Sequence, residues 1–214
     1  MITSHPSARE GSVKTLAHYT PEDFRPPCAI LCRNTAPLVS LAYGLLHHDI
    51  PCRIAGKDLG AQLATIVRKQ RAMTLPDLRE RLATWFRREY DRAVDESKSP
   101  ERISDQYQCL CVFMDGLDED SQTVDSVLAK IDLMFSDTGG PEKVVLSTIH
   151  RSKGLEWPLV FLLDWSLCPS KFATQPWQLA QERNLQYVAI TRSQDALRYI
   201  TSNSWKDDTS SPST

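Results

Sequence analysis

The densest group of side chains suited to binding phosphate or a nucleotide lies between residues 147 and 158. Around Gly154 this segment carries a hydroxyl, an imidazole, two cations and a carboxylate, supplied by Thr148, His150, Arg151, Lys153 and Glu156. A hydroxyl and an imidazole suit contacts with phosphate or sugar that demand no particular base sequence. The composition therefore predicts a polar site for a nucleotide or a nucleic-acid strand.

Two short apolar runs flank this segment and must position it. Val144–Leu146 and Leu159–Leu163 show no polar alternation, which is typical of inner strands of a parallel sheet. The twelve residues between them, from Ser147 to Pro158, are about the minimum for a crossover between parallel strands. Because ligands of open α/β sheets bind beyond the carboxyl ends of the strands, we expect the polar side chains to lie there.

Three segments carry a resemblance to a known family. STIHRSKGLEW at residues 147–157, followed by an apolar strand, resembles motif V of the UvrD/Rep group of superfamily 1 DNA helicases. QERNLQYVAITRS at residues 181–193 is similar to motif VI, and AILCRNTAPL at residues 29–38 resembles the strand and turn that open the family's second RecA-like domain. The order of the segments is that of the family, and the resemblance covers roughly residues 25–202.

The resemblance assigns roles to eight residues. Arg192 corresponds to the motif VI arginine that acts as a finger on the terminal phosphate of ATP. Gly154 and Glu156 of motif V would lie on the nucleotide side. The remaining residues would contact single-stranded DNA, and they are Arg33, Asn34, Thr148, His150 and Lys153. ATP with magnesium would be bound jointly with a first motor domain.

Each assignment has a plainer alternative. Arg192 can be a helix-terminal arginine favoured by the helix dipole, and Glu156 can cap a nearby turn. Lys153 can be an ordinary surface lysine. The turn after residue 32 can serve mainly to cap the next helix through Asn34 or Thr35. Trp157 is expected in the core beside Pro158, whereas for Trp177 base stacking and packing remain open.

The sequence lacks the parts that cradle a nucleotide's phosphates. It contains no GxxxxGK[ST] segment, since Gly56-Lys57-Asp58 has neither the upstream glycine nor the hydroxyl that holds magnesium. The run from Cys111 to Asp120 superficially resembles a strand ending in magnesium-binding carboxylates, but it follows a helical pattern and we interpret it as a helix ending at Gly116. We therefore expect that this chain alone does not hydrolyse ATP, and no metal site is predicted.

Composition limits the remaining possibilities. The 214 residues are 41% hydrophobic with a formal net charge of −2, so there is no global basic field to hold nucleic acid. Six cysteines without a CxxC pair indicate a reducing environment without a zinc site. The absence of a secretion signal or a long apolar run disfavours a membrane location, and we expect a cytoplasmic protein of a bacterial or phage-infected cell.

The order of patterns along the chain predicts an α/β, RecA-like second motor domain with a parallel sheet and a helical insertion. Residues 28–56 and 137–202 form the α/β part, with a helix on Leu38, Leu41, Ala42, Leu45 and Leu46. Residues 57–136 have helical spacing and are assigned to the insertion. Residues 1–27 read as a polar lead-in with at most a short strand at Val13–Leu16, and residues 203–214 as a disordered tail.

The function expected from this resemblance is that of the second motor domain of an ATP-dependent DNA helicase or translocase. It would close on ATP held by a P-loop-bearing first domain, in cis or in trans, and move along single-stranded DNA in the 3′ to 5′ direction. The alternative is a non-catalytic module derived from such a domain that binds single-stranded DNA or a partner helicase.

Overall fold

A computed structural model describes residues 10–117, 122–136 and 142–204. Its six parallel strands lie in the order β1-β6-β5-β2-β4-β3. They are β1 Ser12–Thr15, β2 Cys28–Cys32, β3 Cys52–Ile54, β4 Val144–Thr148, β5 Trp157–Leu163 and β6 Ser193–Ile200. The helices are α1 Ala36–His47, α2 Lys57–Gln70, α3 Leu75–Asp95, α4 Glu101–Asp115, α5 Val124–Met134 and α6 Pro176–Ile190. Residues 137–141, at the start of the second α/β segment, and the predicted tail beyond residue 204 lie outside the described residues.

The apolar runs form inner strands, as predicted. β2 lies at the centre and pairs with β4 on one side and β5 on the other, with Ala29 opposite both Val145 and Val160. Every residue of β2 is buried because both faces of the sheet are covered. Ile30 belongs to the hydrophobic cluster on one face, and Leu31 to the cluster on the other.

Helices cover the two faces unequally. The larger cluster joins the sheet to α1–α5 through Leu38, Leu63, Leu78, Leu110 and Val127. The smaller cluster contains Leu185 and Ala189 of α6. The predicted α/β, RecA-like class with a parallel sheet is confirmed. The helices of residues 57–136 pack against the same core as α1, because their apolar sides join the cluster that covers the sheet.

The segment expected to be a polar lead-in contributes to the sheet and the core. β1 pairs with β6, and Ser12 lies opposite Ala196. Tyr19 and Phe24 are buried, and the Phe24 ring centroid lies 4.8 Å from that of Phe161. The expectation of a lead-in rested on polar composition, but an edge strand needs few apolar residues and two aromatic rings bury much surface.

The end of α4 confirms the helical interpretation of residues 111–116. The helix runs to Asp115 and Gly116 follows it with φ −86°, so the glycine is not required by the backbone angle. A Cβ at Gly116 would instead lie 2.7 Å from the ring of Tyr43 on α1. Close packing between α4 and α1 therefore explains the glycine.

Among the described residues, no helix is both long and apolar enough to cross a membrane.

Candidate nucleotide-facing and DNA-facing sites

The predicted site residues divide between the two edges of the sheet. Thr148 ends β4 at the carboxyl edge, and Trp157 begins β5 at the amino edge. The expectation that the whole 147–158 segment lies above the carboxyl ends is therefore wrong for Gly154 and Glu156. The physical reason is direction: a connection between parallel strands leaves from one edge and must return to the other.

At the carboxyl edge, Arg33 follows β2 and is held by two carboxylates. Its Nε and one terminal nitrogen donate to Glu182 of α6 at 2.8–3.2 Å, and that terminal nitrogen also donates to Oε2 of Glu101 on α4 at 3.0 Å. Desolvation disfavours the charge, but Glu182 and Glu101 outweigh this effect and raise the pKa of Arg33. Burial also disfavours the charged form of Glu182 and by itself would raise the pKa of this carboxyl. The hydrogen bonds from Arg33 and the Ser170 amide outweigh burial and lower the pKa of Glu182 below its ordinary value.

The helix after this turn is capped from a distance. The amides of Thr35 and Ala36 donate to the Asp105 carboxylate of α4 at 2.8–3.0 Å. The N-cap residue Thr35 makes no side-chain capping bond. The alternative in which Asn34 or Thr35 caps α1 is therefore wrong: neither side chain binds an amide of the first turn, where Pro37 has no N–H to donate, and Asp105 binds the two preceding amides instead.

Two other predicted DNA-facing residues lie beside this turn, because Thr148 pairs with Cys32 and the charge of Arg33 acts on His150. Lys153 directly precedes Gly154 in the connection between the two edges. The carbonyl oxygen of Thr148 accepts hydrogen bonds from the backbone amides of Arg151 and Ser152, with N···O distances of 3.0 and 3.1 Å. These bonds fold the segment into a tight turn. Within the described part of the chain, the side-chain amide of Asn34 and the ammonium of Lys153 have no hydrogen-bond partner. Desolvation, and then the charge of Arg33, lowers the pKa of His150, so a neutral imidazole is favoured.

At the amino edge, Arg192 lies between the end of α6 and the start of β6. Its guanidinium donates to the Val188 carbonyl, the Leu155 carbonyl and the Thr191 hydroxyl, each at 2.9 Å. No carboxylate among the described residues forms an ion pair with it. Three of its five N–H groups are therefore used for orientation, while its positive charge is left uncompensated.

Glu156 and Gly154 lie beside Arg192. Oε2 of Glu156 accepts a hydrogen bond from Gln194 at 3.3 Å. Gly154 has φ +85°, a conformation that side chains rarely adopt, and a Cβ there would meet nothing within 4 Å. The glycine thus allows the turn that brings the Leu155 carbonyl onto Arg192.

Arg151 connects the same segment to the first turn of α2. It forms an ion pair with Asp58, and the hydrogen bond from Arg151 is the largest cause of the lowered pKa of Asp58. A Cβ at Gly56 would lie 3.1 Å from Nε of Arg151, and Gly56 has φ +130°. A glycine before α2 therefore leaves room for this arginine.

Sequence reasoning did not identify Glu182, Glu101 or Asp105 as partners of the predicted site. Glu182 carried a signal, because it falls on the buried stripe of α6 with Leu185 and Ala189. A carboxylate on such a stripe requires a buried partner. Trp157 packs against the α6 cluster as expected, whereas Trp177 is 60% exposed. No group of three potential metal ligands occurs among the described residues.

The fold and the two edges define a class: a parallel α/β domain with polar residues at the carboxyl ends of its central strands and an oriented arginine at the opposite edge. Residues 64–204, about two thirds of the chain, match the model of the UvrD-like helicase C-terminal domain. The chain belongs to this family. The matched region includes the segments at 147–157 and 181–193, and the turn at residues 33–36 lies before it.

Similar proteins agree with this family. The chain is 38% identical over 96 residues to "ATP-dependent DNA helicase UvrD1" of Mycobacterium leprae, covering 40% of this chain and 12% of that protein. It is 37% identical over 75 residues to "ATP-dependent DNA helicase PcrA" of Bacillus subtilis, covering 34% and 10%. It is 36% identical over 103 residues to "ATP-dependent DNA helicase srs2" of Schizosaccharomyces pombe, covering 46% and 11%. The matches thus span about a tenth of the length of these relatives.

Proposed function

We propose that this chain acts as the second motor domain of an ATP-dependent DNA helicase or translocase. ATP would be bound by a P-loop-bearing first domain, in cis or in trans, which also supplies the magnesium ligands that this sequence lacks. The amino edge of the sheet, with Gly154, Glu156 and Arg192, would close on that nucleotide. Asn34, Thr148 and His150 at the carboxyl edge would bind single-stranded DNA, together with Lys153 from the connection between β4 and β5.

The observation that carries this proposal is the environment of Arg192. Its three hydrogen bonds go to carbonyl and hydroxyl oxygens, so the guanidinium is oriented without being neutralised. An arginine finger needs this combination, because its charge must be available for the transferred phosphate in the transition state. A helix-terminal arginine commonly donates to the last carbonyls of its own helix, and the bond to the Leu155 carbonyl, from another segment, goes beyond that role.

The separation of the two edges supports a coupled motor. A single ten-residue connection from Thr148 to Trp157 joins the residues proposed for DNA to those proposed for ATP. Movement of the DNA-facing end would therefore be transmitted along a short, hydrogen-bonded segment. The relatives are named ATP-dependent DNA helicases, which supports a role on DNA. Repeated closure with translocation in the 3′ to 5′ direction is what the resemblance implies.

The test is ATP hydrolysis by the purified chain with and without a P-loop-bearing first helicase domain. We expect no turnover from the chain alone and DNA-stimulated turnover from the combination. DNA-stimulated hydrolysis by the chain alone would overturn the division of labour. Binding of single-stranded DNA without any stimulation of a first domain would favour the alternative, a non-catalytic binding module.

Binding of DNA by the isolated chain is expected to be weak and sensitive to salt. The net charge of −2 adds no global attraction, and salt reduces the gain from counterion release. Titration of a labelled single-stranded oligonucleotide at several salt concentrations measures this. Equal titration curves for the wild-type chain and a His150→Ala/Lys153→Ala double variant would remove these residues from the proposed contact.

A further inference from the structure

The turn at residues 33–36 is held by helices on both faces of the sheet. Glu182 of α6 and Glu101 of α4 bind Arg33, and Asp105 of α4 binds the amides of Thr35 and Ala36. Glu101 and Asp105 are four residues apart and therefore lie on the same side of α4. One side of α4 thus binds the turn through two carboxylates, and α6 binds the turn from the other face of the sheet.

This arrangement leaves Arg33 poorly placed to bind DNA. Its side chain is 13% exposed, and its single positive charge is matched by two carboxylates at 2.8 and 3.0 Å. Nε and one terminal nitrogen already bind these carboxylates, and the three groups together carry a net negative charge, so little attraction is left for a phosphate. The side-chain amide of the neighbouring Asn34, by contrast, has no hydrogen-bond partner in the described part of the chain.

We propose that Arg33 is a positioning residue, which holds Asn34 in place for a single DNA strand without contacting that strand itself. The proposal rests on the proposed function, in which the carboxyl edge binds DNA. Arg33 would act through the turn: the ion pairs fix the chain direction after β2, and Asp105 fixes the first turn of α1. Asn34, between these two attachments, is then presented with little freedom.

The same contacts tie the DNA-facing edge to the helix that ends beside Arg192. Glu182 is part of α6, and the last turn of α6 supplies the Val188 carbonyl that orients Arg192. An α-helix is stiff over this length. Loss of the Arg33–Glu182 ion pair should therefore change the position of side chains at both edges. The effect should be direct at the DNA-facing edge and transmitted through α6 at the other.

Arg33→Lys distinguishes positioning from direct contact. Lysine retains the charge that a phosphate would need, but its single ammonium cannot reproduce the planar fork that meets Glu182 and Glu101 together. The experiment measures binding of a labelled oligothymidylate by anisotropy as a function of salt, well below the unfolding temperature. Lys153→Ala serves as the variant that loses a cation proposed to contact DNA, and Lys14→Ala on β1 serves as the variant that should change nothing.

We expect Arg33→Lys and Arg33→Ala to weaken binding on the order of three- to tenfold, the value of one hydrogen bond. The slope of log affinity against log salt should stay unchanged in both. Lys153→Ala should reduce the magnitude of that slope by about 0.7, the value for one phosphate contact on a single strand. Should Arg33→Ala fail to fold, Arg33→Lys and Glu101→Gln give the same comparison.

Three results would overturn the proposal. A slope reduced by about 0.7 in Arg33→Ala would mean direct phosphate contact. Wild-type affinity in Arg33→Lys would mean either direct contact or a role in stability alone. If the wild-type chain binds no oligonucleotide, the proposed function fails, and positioning is then tested by hydrogen exchange. Arg33→Lys should accelerate exchange of the Thr35 and Ala36 amides, and unchanged exchange would overturn positioning on its own.

Discussion

Two arginines at opposite edges of one sheet differ in every property that decides what an arginine can do. Arg33 at the carboxyl edge is paired with two carboxylates and has a side chain only 13% exposed. Arg192 at the amino edge is oriented by two carbonyls and a hydroxyl and has no carboxylate partner among the described residues. Uncharged acceptors orient an arginine and leave its positive charge available to a ligand, whereas carboxylates neutralise that charge in an ion pair.

The difference teaches how to separate structural from functional arginines within one domain. Both residues follow regular elements and both lie in segments that resemble family motifs. Their hydrogen-bond partners distinguish the two arginines. Removal of Arg33 leaves buried carboxylates without a cation, whereas removal of Arg192 leaves uncharged oxygens that water can satisfy. The predictions below test this contrast, beginning with the largest effect.

Arg192→Ala should reduce ATP turnover of the motor assembled with a first domain by about 10³- to 10⁵-fold, as expected for an arginine finger. Affinity for single-stranded DNA should change little, because Arg192 lies at the other edge. Arg192→Lys should not restore turnover, since an ammonium cannot meet two phosphate oxygens in a plane. The exposed Arg183 on α6 provides a matched control, and turnover of Arg192→Ala close to that of Arg183→Ala would exclude the finger.

Arg33→Ala should lower the free energy of unfolding by about 3 kcal/mol, because Glu182 is left buried without its cation. Arg192→Ala should lower it by less than about 1 kcal/mol, since its hydrogen-bond partners can be solvated. Urea denaturation of the two variants under identical conditions measures both. Equal losses would break the contrast between the two arginines.

Asp105→Ala should cost about 1 kcal/mol, the usual value of a helix cap, because the Thr35 and Ala36 amides lose their acceptor. Asn34→Ala should be nearly neutral for stability, since the Asn34 amide caps nothing. Denaturant titration of the pair is the measurement. If Asn34→Ala is the more destabilising of the two, the distant cap is not what holds the start of α1.

The mildest perturbation is a change of pH acting on Glu182. Its pKa is lowered in the folded state because Arg33 and the Ser170 amide outweigh desolvation. A lowered carboxyl pKa contributes stability that is fully present above the unfolded value and is lost as pH falls through the folded value. Unfolding free energy should therefore fall more steeply below about pH 4.5 in the wild type than in Glu182→Gln. Parallel curves would mean that Glu182 does not carry the charge of this network.

The sequence by itself determined the fold class, the inner strands and the family. Runs such as Cys28–Cys32 lack polar alternation because both faces of the strand are buried, and this constraint acts directly on residue type. Helical spacing likewise predicted α1 and its buried side with Leu38, Leu41 and Leu45. These properties are local, so each can be read from a few neighbouring residues.

Only the tertiary structure decided which partner each site residue meets. The edges follow from strand direction, and parallel pairing already implied that Glu156 returns to the edge opposite Thr148. The partners could not be predicted, because Arg33 meets Glu101 and Glu182 across 68 and 149 residues of chain. No local pattern encodes a contact at that separation, since it depends on how α4 and α6 pack against the two faces of one sheet.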